Sequence, residues 1–254
     1  MRVVLVPCLS DNYAYLVVAD GGRTAVVVDP SEAEPVERAL AREGLELAAI
    51  LCTHHHPDHV GGNEELLSRH PGIPVYAHVS DVGRVPGQTV RVEEGVAFDV
   101  AGLTFTPLHV PGHTLGAVAY VTPGAVFTGD TMFVAGCGRL FEGTPEQMHR
   151  SLSEKLGALP SETRVYCGHE YTVSNLRFAA TVEPDNGAVR AKLAAAQEIR
   201  GRGEPTIPST IGEELATNPF LRCGEPSVRQ RFAPEAASAV DVLAAVRKAK
   251  DTFR

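Results

Sequence analysis

No stretch of the chain is long and apolar enough to cross a membrane, and the short apolar run Met1–Pro7, with its single arginine, is too brief for a signal peptide. Cytoplasm is therefore the expected location, with no membrane partner. Cysteine is sparse and scattered. Cys8, Cys52, Cys137, Cys167 and Cys223 are odd in number and include no C-x-x-C pair, which favours reduced thiols over a disulfide framework and argues against a thiolate cluster. Positive charge is in deficit as well: 23 Lys and Arg against 31 Asp and Glu leave a net charge of −8, which argues against non-specific nucleic-acid binding unless a basic patch is local. Repeats and low-complexity tracts are missing. What remains is the composition of an ordinary globular protein, whose 254 residues suffice for one large domain, or a domain plus an appendage, with an ample core.

Short apolar or alternating runs at Val3–Val6, Ala14–Val18 and Ala25–Asp29, punctuated by Asp11-Asn12 and Asp20-Gly21-Gly22, predict an opening strand meander. A helix over Glu34–Glu43 precedes a strand at Ala49–Cys52, the end of the apolar run Leu47–Cys52. Then come a helix from Val60 to about His70, strands at Val75–His78, Ala97–Val100, Leu103–Val110, Ala117–Val121 and Ala125–Thr128, a helix over Pro145–Gly157, and a strand at Val165–Cys167. Thr144, Pro145 and Gln147 form the start signature of that last helix. After Tyr171 only helices are expected, at Ser174–Thr181, Ala188–Arg200 and Ala236–Lys250, and the Gly- and Pro-rich stretch Gly201–Pro208 is expected to be a loop, mobile or covering a substrate. The domain boundary is placed near Thr172, giving a mixed β/α domain over 1–172 and a helical segment over 173–254.

The densest chemistry lies in Thr53-His54-His55-His56-Pro57-Asp58-His59-Val60-Gly61-Gly62. If the strand runs out at Thr53, alternation sends His54 and His56 to one side and His55 to the other. Pro57 stops the strand, and Asp58 and His59 then sit at a helix start from which they can reach the same spot. Gly61-Gly62 would let that helix approach a metal closely. A plain His-rich strand end is the bland alternative, but it leaves three further residues unexplained. His113, Asp130 and His169 each follow a glycine that ends an apolar run. Imidazole and carboxylate donors suit zinc, iron or manganese. Seven donors exceed one zinc and suit two ions sharing a carboxylate. The division expected is His54, His56 and His113 on one ion, Asp58, His59 and His169 on the other, and Asp130 bridging, with an open position left on each for water.

These motifs, T-H-x-H-x-D-H, P-G-H-T, G-D and C-G-H-E-Y-T in this order, resemble the metallo-β-lactamase superfamily. Gly136-Cys137-Gly138-Arg139-Leu140-Phe141-Glu142-Gly143-Thr144, Asn218-Pro219-Phe220-Leu221-Arg222 and Arg247-Lys248-Ala249-Lys250-Asp251 narrow the resemblance to the glyoxalase II (hydroxyacylglutathione hydrolase) family, over essentially the whole chain. The resemblance implies an α/β, four-layer αββα sandwich with a small C-terminal helical domain. It implies a binuclear site of two divalent metal ions, zinc ahead of iron or manganese. It also implies hydrolysis of the small-molecule thioester S-D-lactoylglutathione to D-lactate and glutathione, a step of methylglyoxal detoxification. Asp58 and Asp130 would orient the attacking hydroxide, and Arg139, Tyr171, Arg247 and Lys250 would hold the glutathione moiety. Phe141 departs from the pattern, since several members carry tyrosine there, so one hydrogen bond to the tripeptide is expected to be lost. His55, His78, His109 and His149 match no ligand position. A monomer is expected over an oligomer. Two rival readings compete: a mononuclear iron persulfide dioxygenase of the same superfamily, disfavoured by the C-terminal motifs, and a non-catalytic glutathione- or metal-binding protein, disfavoured by the complete donor set.

Overall fold

A computed structural model describes residues 1–235 and 238–253. The chain forms two compact units, one made of Met1–His109 and Gly116–Gly129, the other of Val110–Leu115 and Asp130–Arg254.

The first unit opens with β1 (Arg2–Cys8), β2 (Asn12–Val18) and β3 (Thr24–Val28), an antiparallel meander. Then follow α1 (Ala33–Glu43), β4 (Glu46–Leu51), α2 (Pro57–Val60), α3 (Asn63–Arg69), β5 (Val75–His78) and β6 (Val90–Val92), with β3 to β6 parallel. A second, antiparallel sheet holds β7 (Phe98–Val100), β8 (Leu103–His109), β9 (Val118–Thr122) and β10 (Ala125–Gly129). Strand β2 is buried along its whole length, because alternate residues serve opposite faces. Ala14, Leu16 and Val18 join the core beneath Val36, Leu40 and Leu66 of the helices, whereas the Tyr15 ring lies 5.5 Å from Phe127 of the second sheet. The Tyr120 hydroxyl reaches across to donate to the Cys52 carbonyl at 3.0 Å, so the two sheets are joined by a buried hydrogen bond as well as by packing.

Two expectations for this unit need correction. The helix drawn from Val60 to His70 is two short helices, α2 and α3, separated at Gly61-Gly62. Both glycines face close backbone: a Cβ on Gly61 would lie 2.7 Å from the Ser31 carbonyl, and one on Gly62 would lie 2.7 Å from that of Pro30. They admit the backbone that follows β3. The short strand β6 was not anticipated, three residues being too few for a periodicity to register.

The second unit contains the hairpin β11 (Met132–Phe133) and β12 (Gly136–Cys137), then α4 (Pro145–His149) and β13 (Arg164–Cys167). Helices α5 (Thr172–Val182) and α6 (Gly187–Gly201) pack through Leu176, Ala179, Val189 and Ala196. They are followed by β14 (Ser209–Thr210), α7 (Ile211–Thr217), α8 (Pro226–Phe232) and α9 (Ala239–Thr252). The Thr144–Gln147 capping box at α4 is present in full, but past His149 the helix continues as a π-helical turn over Arg150–Leu156. The expectation of no strand after Tyr171 fails narrowly, since Ser209 and Thr210 pair with Val165 and Arg164. Helices α7 and α8 were not anticipated, although Thr210 and Glu213 form a capping box and Pro226 stands in the first turn. The helix expected from Ala236 begins at Ala239, with Ser238 as its cap; Ala236 and Ala237 lie outside the described residues. The Gly201–Pro208 loop is tethered, because Thr206 donates through its backbone N–H and its hydroxyl to the Glu170 carboxylate at 2.8 and 2.6 Å. Among the described residues, no helix is long and apolar enough to cross a membrane.

Candidate metal centre

In the first unit β4 ends at Leu51, and the chain then runs irregularly from Cys52 to His56 before Pro57 opens α2. That exit brings Nε2 of His54 to 3.1 Å from Nδ1 of His56. Two imidazole nitrogens on one tetrahedral zinc, each bonded at 2.0–2.1 Å, stand about 3.3 Å apart, so the pair has the spacing of ligands on one ion. His55 goes elsewhere, its Nδ1 3.5 Å from the buried Asp81 carboxylate and its Nε2 2.5 Å from an Arg84 guanidinium nitrogen. On α2, Asp58 Oδ2 lies 3.8 Å from His59 Nε2, and the His59 and His54 rings are 4.1 Å apart.

Asp29, which sequence reasoning passed over, organises this group. It follows β3 in a left-handed backbone conformation (φ 49°), which Asp tolerates better than most residues. Its Oδ1 accepts from the Thr53 N–H at 2.7 Å, and its Oδ2 accepts from the Thr53 hydroxyl at 2.6 Å and from His59 Nδ1 at 3.0 Å. Because the Thr53 hydroxyl proton is committed to Asp29, its oxygen can only accept from His54 Nδ1, 3.1 Å away. His54 and His59 therefore carry their protons on Nδ1 and present Nε2 lone pairs, the tautomer a metal needs. The signal was available: Asp29 ends an apolar strand, as Asp130 does.

In the second unit Asp130, His113 and His169 converge. Asp130 Oδ2 lies 3.6 Å from His113 Nε2 and 3.3 Å from His169 Nε2, so one carboxylate oxygen neighbours two different imidazoles. His113 Nδ1 donates to the Arg139 carbonyl at 2.8 Å, which again leaves the lone pair on Nε2. Gly129, just before Asp130, is left-handed (φ 49°), and a Cβ there would lie 2.2 Å from the Thr53 hydroxyl. The glycine before Asp130 thus answers two needs, turn and space. All these donors are imidazole or carboxylate, and three buried histidines are held with Nε2 presented. The set fits divalent metal ions.

The four substrate-binding candidates all belong to the second unit. The Tyr171 ring stacks on His169 at 4.7 Å and 6°. Arg139, largely exposed, has its Nε 3.7 Å from Asp251. A cavity of about 380 Å³ is lined by Arg139, Phe141, Arg247, Lys248 and Asp251, with the exposed Phe141 ring 5.2 Å from that of His113. Arg247 is buried: Nη1 donates to the Cys137 carbonyl at 2.7 Å, Nη2 to Asp251 at 3.1 Å, and the guanidinium lies over the Phe220 ring. Lys250 is half-buried, donates to the Ser174 carbonyl at 3.3 Å and sits over Phe178. Burial, helped by Arg247, lowers its amine to a pKa of about 8. Of these two residues only three apart, one braces the hairpin and the other faces Ser174.

The Asn218-Pro219-Phe220 motif is also structural. Asn218 Nδ2 donates to the Gly136 carbonyl at 2.9 Å and the buried Glu214 carboxylate accepts from the Ala135 N–H at 2.7 Å, so together with Asn175 and Arg247 they fix the backbone of the hairpin that follows Asp130.

Comparison with known proteins agrees along the chain. Residues 10–169 match the Metallo-beta-lactamase superfamily, and residues 170–253 match the Hydroxyacylglutathione hydrolase C-terminus. A Hydroxyacylglutathione hydrolase from Synechococcus sp. (strain JA-3-3Ab) is 52% identical over all of both chains. A Hydroxyacylglutathione hydrolase cytoplasmic from Arabidopsis thaliana is 46% identical over the full length of both. The crystal structure of TTHA1623 in a di-iron-bound form superposes with a TM-score of 0.61 at 30% identity, covering 87% of this chain and 100% of that one. An α/β metallo-β-lactamase fold followed by a helical C-terminal segment is thus shared with these relatives, and the chain belongs to the hydroxyacylglutathione hydrolase family of the metallo-β-lactamase superfamily.

Proposed function

We propose that the protein hydrolyses S-D-lactoylglutathione, or a closely related 2-hydroxyacyl thioester of glutathione, to the hydroxy acid and glutathione, as a cytoplasmic monomer. The observation that carries this reading is the set of histidines whose Nδ1 atoms are committed to Asp29, Thr53 and the Arg139 carbonyl, in a chain half identical to named hydroxyacylglutathione hydrolases. In this reading His54, His56 and His113 hold one divalent ion, Asp58, His59 and His169 hold another, and Asp130 is shared. Zinc is the first choice for both. Bound there, the ions would lower the pKa of a water and polarise the thioester carbonyl.

The chain's own residues then do the following. Asp58 and Asp130 accept hydrogen bonds from the attacking water and take its proton. The water oxygen bonds to the carbonyl carbon, the C–S bond breaks, and glutathione departs as a thiolate, a good leaving group because a thiol has a pKa of only about 8.5. Arg139, Tyr171, Arg247 and Lys250 hold the tripeptide; Arg247 does so while bonded to Cys137 and Asp251, with its remaining N–H donors. Residues 1–172 thus carry the chemistry and 173–254 much of the recognition. Phe141 supplies an apolar face where a tyrosine would add a hydrogen bond, so glutathione is held by charge and packing at that point.

The deciding experiment measures thiol release from S-D-lactoylglutathione by the purified, metal-analysed protein under argon and in air. Equal rates are expected. Oxygen uptake with glutathione persulfide and no thioester cleavage would assign the protein to the dioxygenase chemistry instead.

A further inference from the structure

Asp58, a proposed ligand, lies on a helix of only four residues and its side chain is 40% exposed. Its neighbour His59 is fixed by Asp29. A separate element reaches Asp58: Asn12, the first residue of β2, buried to 4% exposure. Asn12 Nδ2 donates to the Asp58 backbone carbonyl at 3.0 Å and to its carboxylate Oδ2 at 3.2 Å. Both partners only accept, so the amide must face them with its nitrogen. One side chain thereby pins Asp58 at the backbone and at the tip of the side chain.

The anchor is itself rigid. Asn12 pairs with Cys8 across the β1–β2 turn, in which Leu9 is left-handed (φ 48°) and its N–H donates to Glu32 at 2.7 Å. The oxygen that Asn12 holds is the one 3.8 Å from His59 Nε2, so the Asn12 amide sets the spacing between two neighbouring ligands.

We propose that Asn12 is a positioning residue that presets the Asp58 carboxylate for one metal ion. This rests on the reading of Asp58 as a ligand. Outer partners of metal ligands typically change affinity by about 10- to 100-fold when removed. The test is titration of the metal-free full-length protein with zinc against a competing chelator, for the parent, Asn12→Ala, Asn12→Asp and Asp58→Ala, alongside thermal unfolding of each metal-free form. Asn12→Ala should weaken one of two binding steps by about 10- to 100-fold, leave the other step near parental and leave the metal-free midpoint unchanged. Asn12→Asp keeps the size but sets a carboxylate against a carboxylate, so it should weaken the same step further. A parent that binds two ions with Asn12→Ala indistinguishable from it would overturn the role of Asn12 alone. Equal weakening of both steps together with a lowered metal-free midpoint would make the turn merely structural and overturn it too. If Asp58→Ala itself bound zinc like the parent, the ligand reading of Asp58 would fail and carry this inference with it.

Discussion

Nδ1 of His59 donates to Oδ2 of Asp29 across 3.0 Å, with both side chains almost wholly buried. The contact sets the tautomer of His59 and, through Thr53, that of His54. Asp29→Ala should therefore lower zinc affinity by about 10- to 100-fold while every ligand remains in place. Competition with a chromogenic chelator would measure it, and parental affinity in the variant would remove Asp29 from the account.

Asp130→Ala should do more. One oxygen of Asp130 neighbours both His113 and His169, so its loss should bring metal content well below the parent's and nearly abolish thioester cleavage. His55→Ala changes a residue turned toward Asp81 and should have a far smaller effect. Metal analysis of both proteins decides; two ions and near-parental turnover in Asp130→Ala would refute the shared-ligand role.

Arg247 and Lys250 should separate kinetically. Arg247 braces the Cys137 carbonyl of the hairpin after Asp130 besides holding the tripeptide, so Arg247→Ala should lower kcat/KM on a small thioester lacking the tripeptide and lower it further on S-D-lactoylglutathione. Lys250→Ala should cost about tenfold on the glutathione substrate, one partly solvated charge-assisted contact, and spare the small one. Because its pKa is lowered to about 8, Lys250 keeps its charge below that pH and loses it above. KM for the glutathione substrate should accordingly rise above pH 8 in the parent and stay flat in Lys250→Ala. A parental KM that ignores pH across this range would count against Lys250 as a carboxylate contact.

The pair Glu183–Arg222 tests the helical segment. Burial pushes the Glu183 carboxyl up, but hydrogen bonds from Arg222, at 2.6 and 3.0 Å, and from Ser227 outweigh it and hold the pKa below the usual range. A carboxyl with a lowered folded pKa contributes stability above the unfolded value of about 4.3 and loses it as pH falls through the folded value. Arg222→Ala leaves the nearly buried carboxylate without its cation, with Ser227 still donating to it, and should cost about 2 kcal/mol at pH 7, reduced from a fully buried pair because Arg222 is 20% exposed. Its stability should also fall less steeply than the parent's on acidification below pH 5. Denaturant unfolding at pH 7 and pH 4 would show both effects, and equal losses at the two pH values would contradict them.

The strand meander, the β4 exit that delivers His54 and His56, and helices α5, α6 and α9 could be read from the sequence because each is written in a local pattern: alternation, a proline stop, a capping residue or a glycine before a polar side chain. The residues proposed as ligands stand out for the same reason, since ligand chemistry is confined to few residue types and here they either cluster just after an apolar run, as His54 to His59 do, or end one, as His113, Asp130 and His169 do. Two-residue strands such as β14 leave no such pattern, because their pairing partners lie far off in sequence.

Tertiary structure alone decided what supports those residues. Asp29 and Asn12 are ordinary turn residues until β3 and β2 bring them to His59 and Asp58. Arg247 reads only as a contact for glutathione until its bond to a carbonyl 110 residues away places it in the interior. A side chain's own chemistry is local and can be read one residue at a time, whereas the proton it carries, the rotamer it keeps and the partner it serves depend on contacts that exist only once the chain has folded.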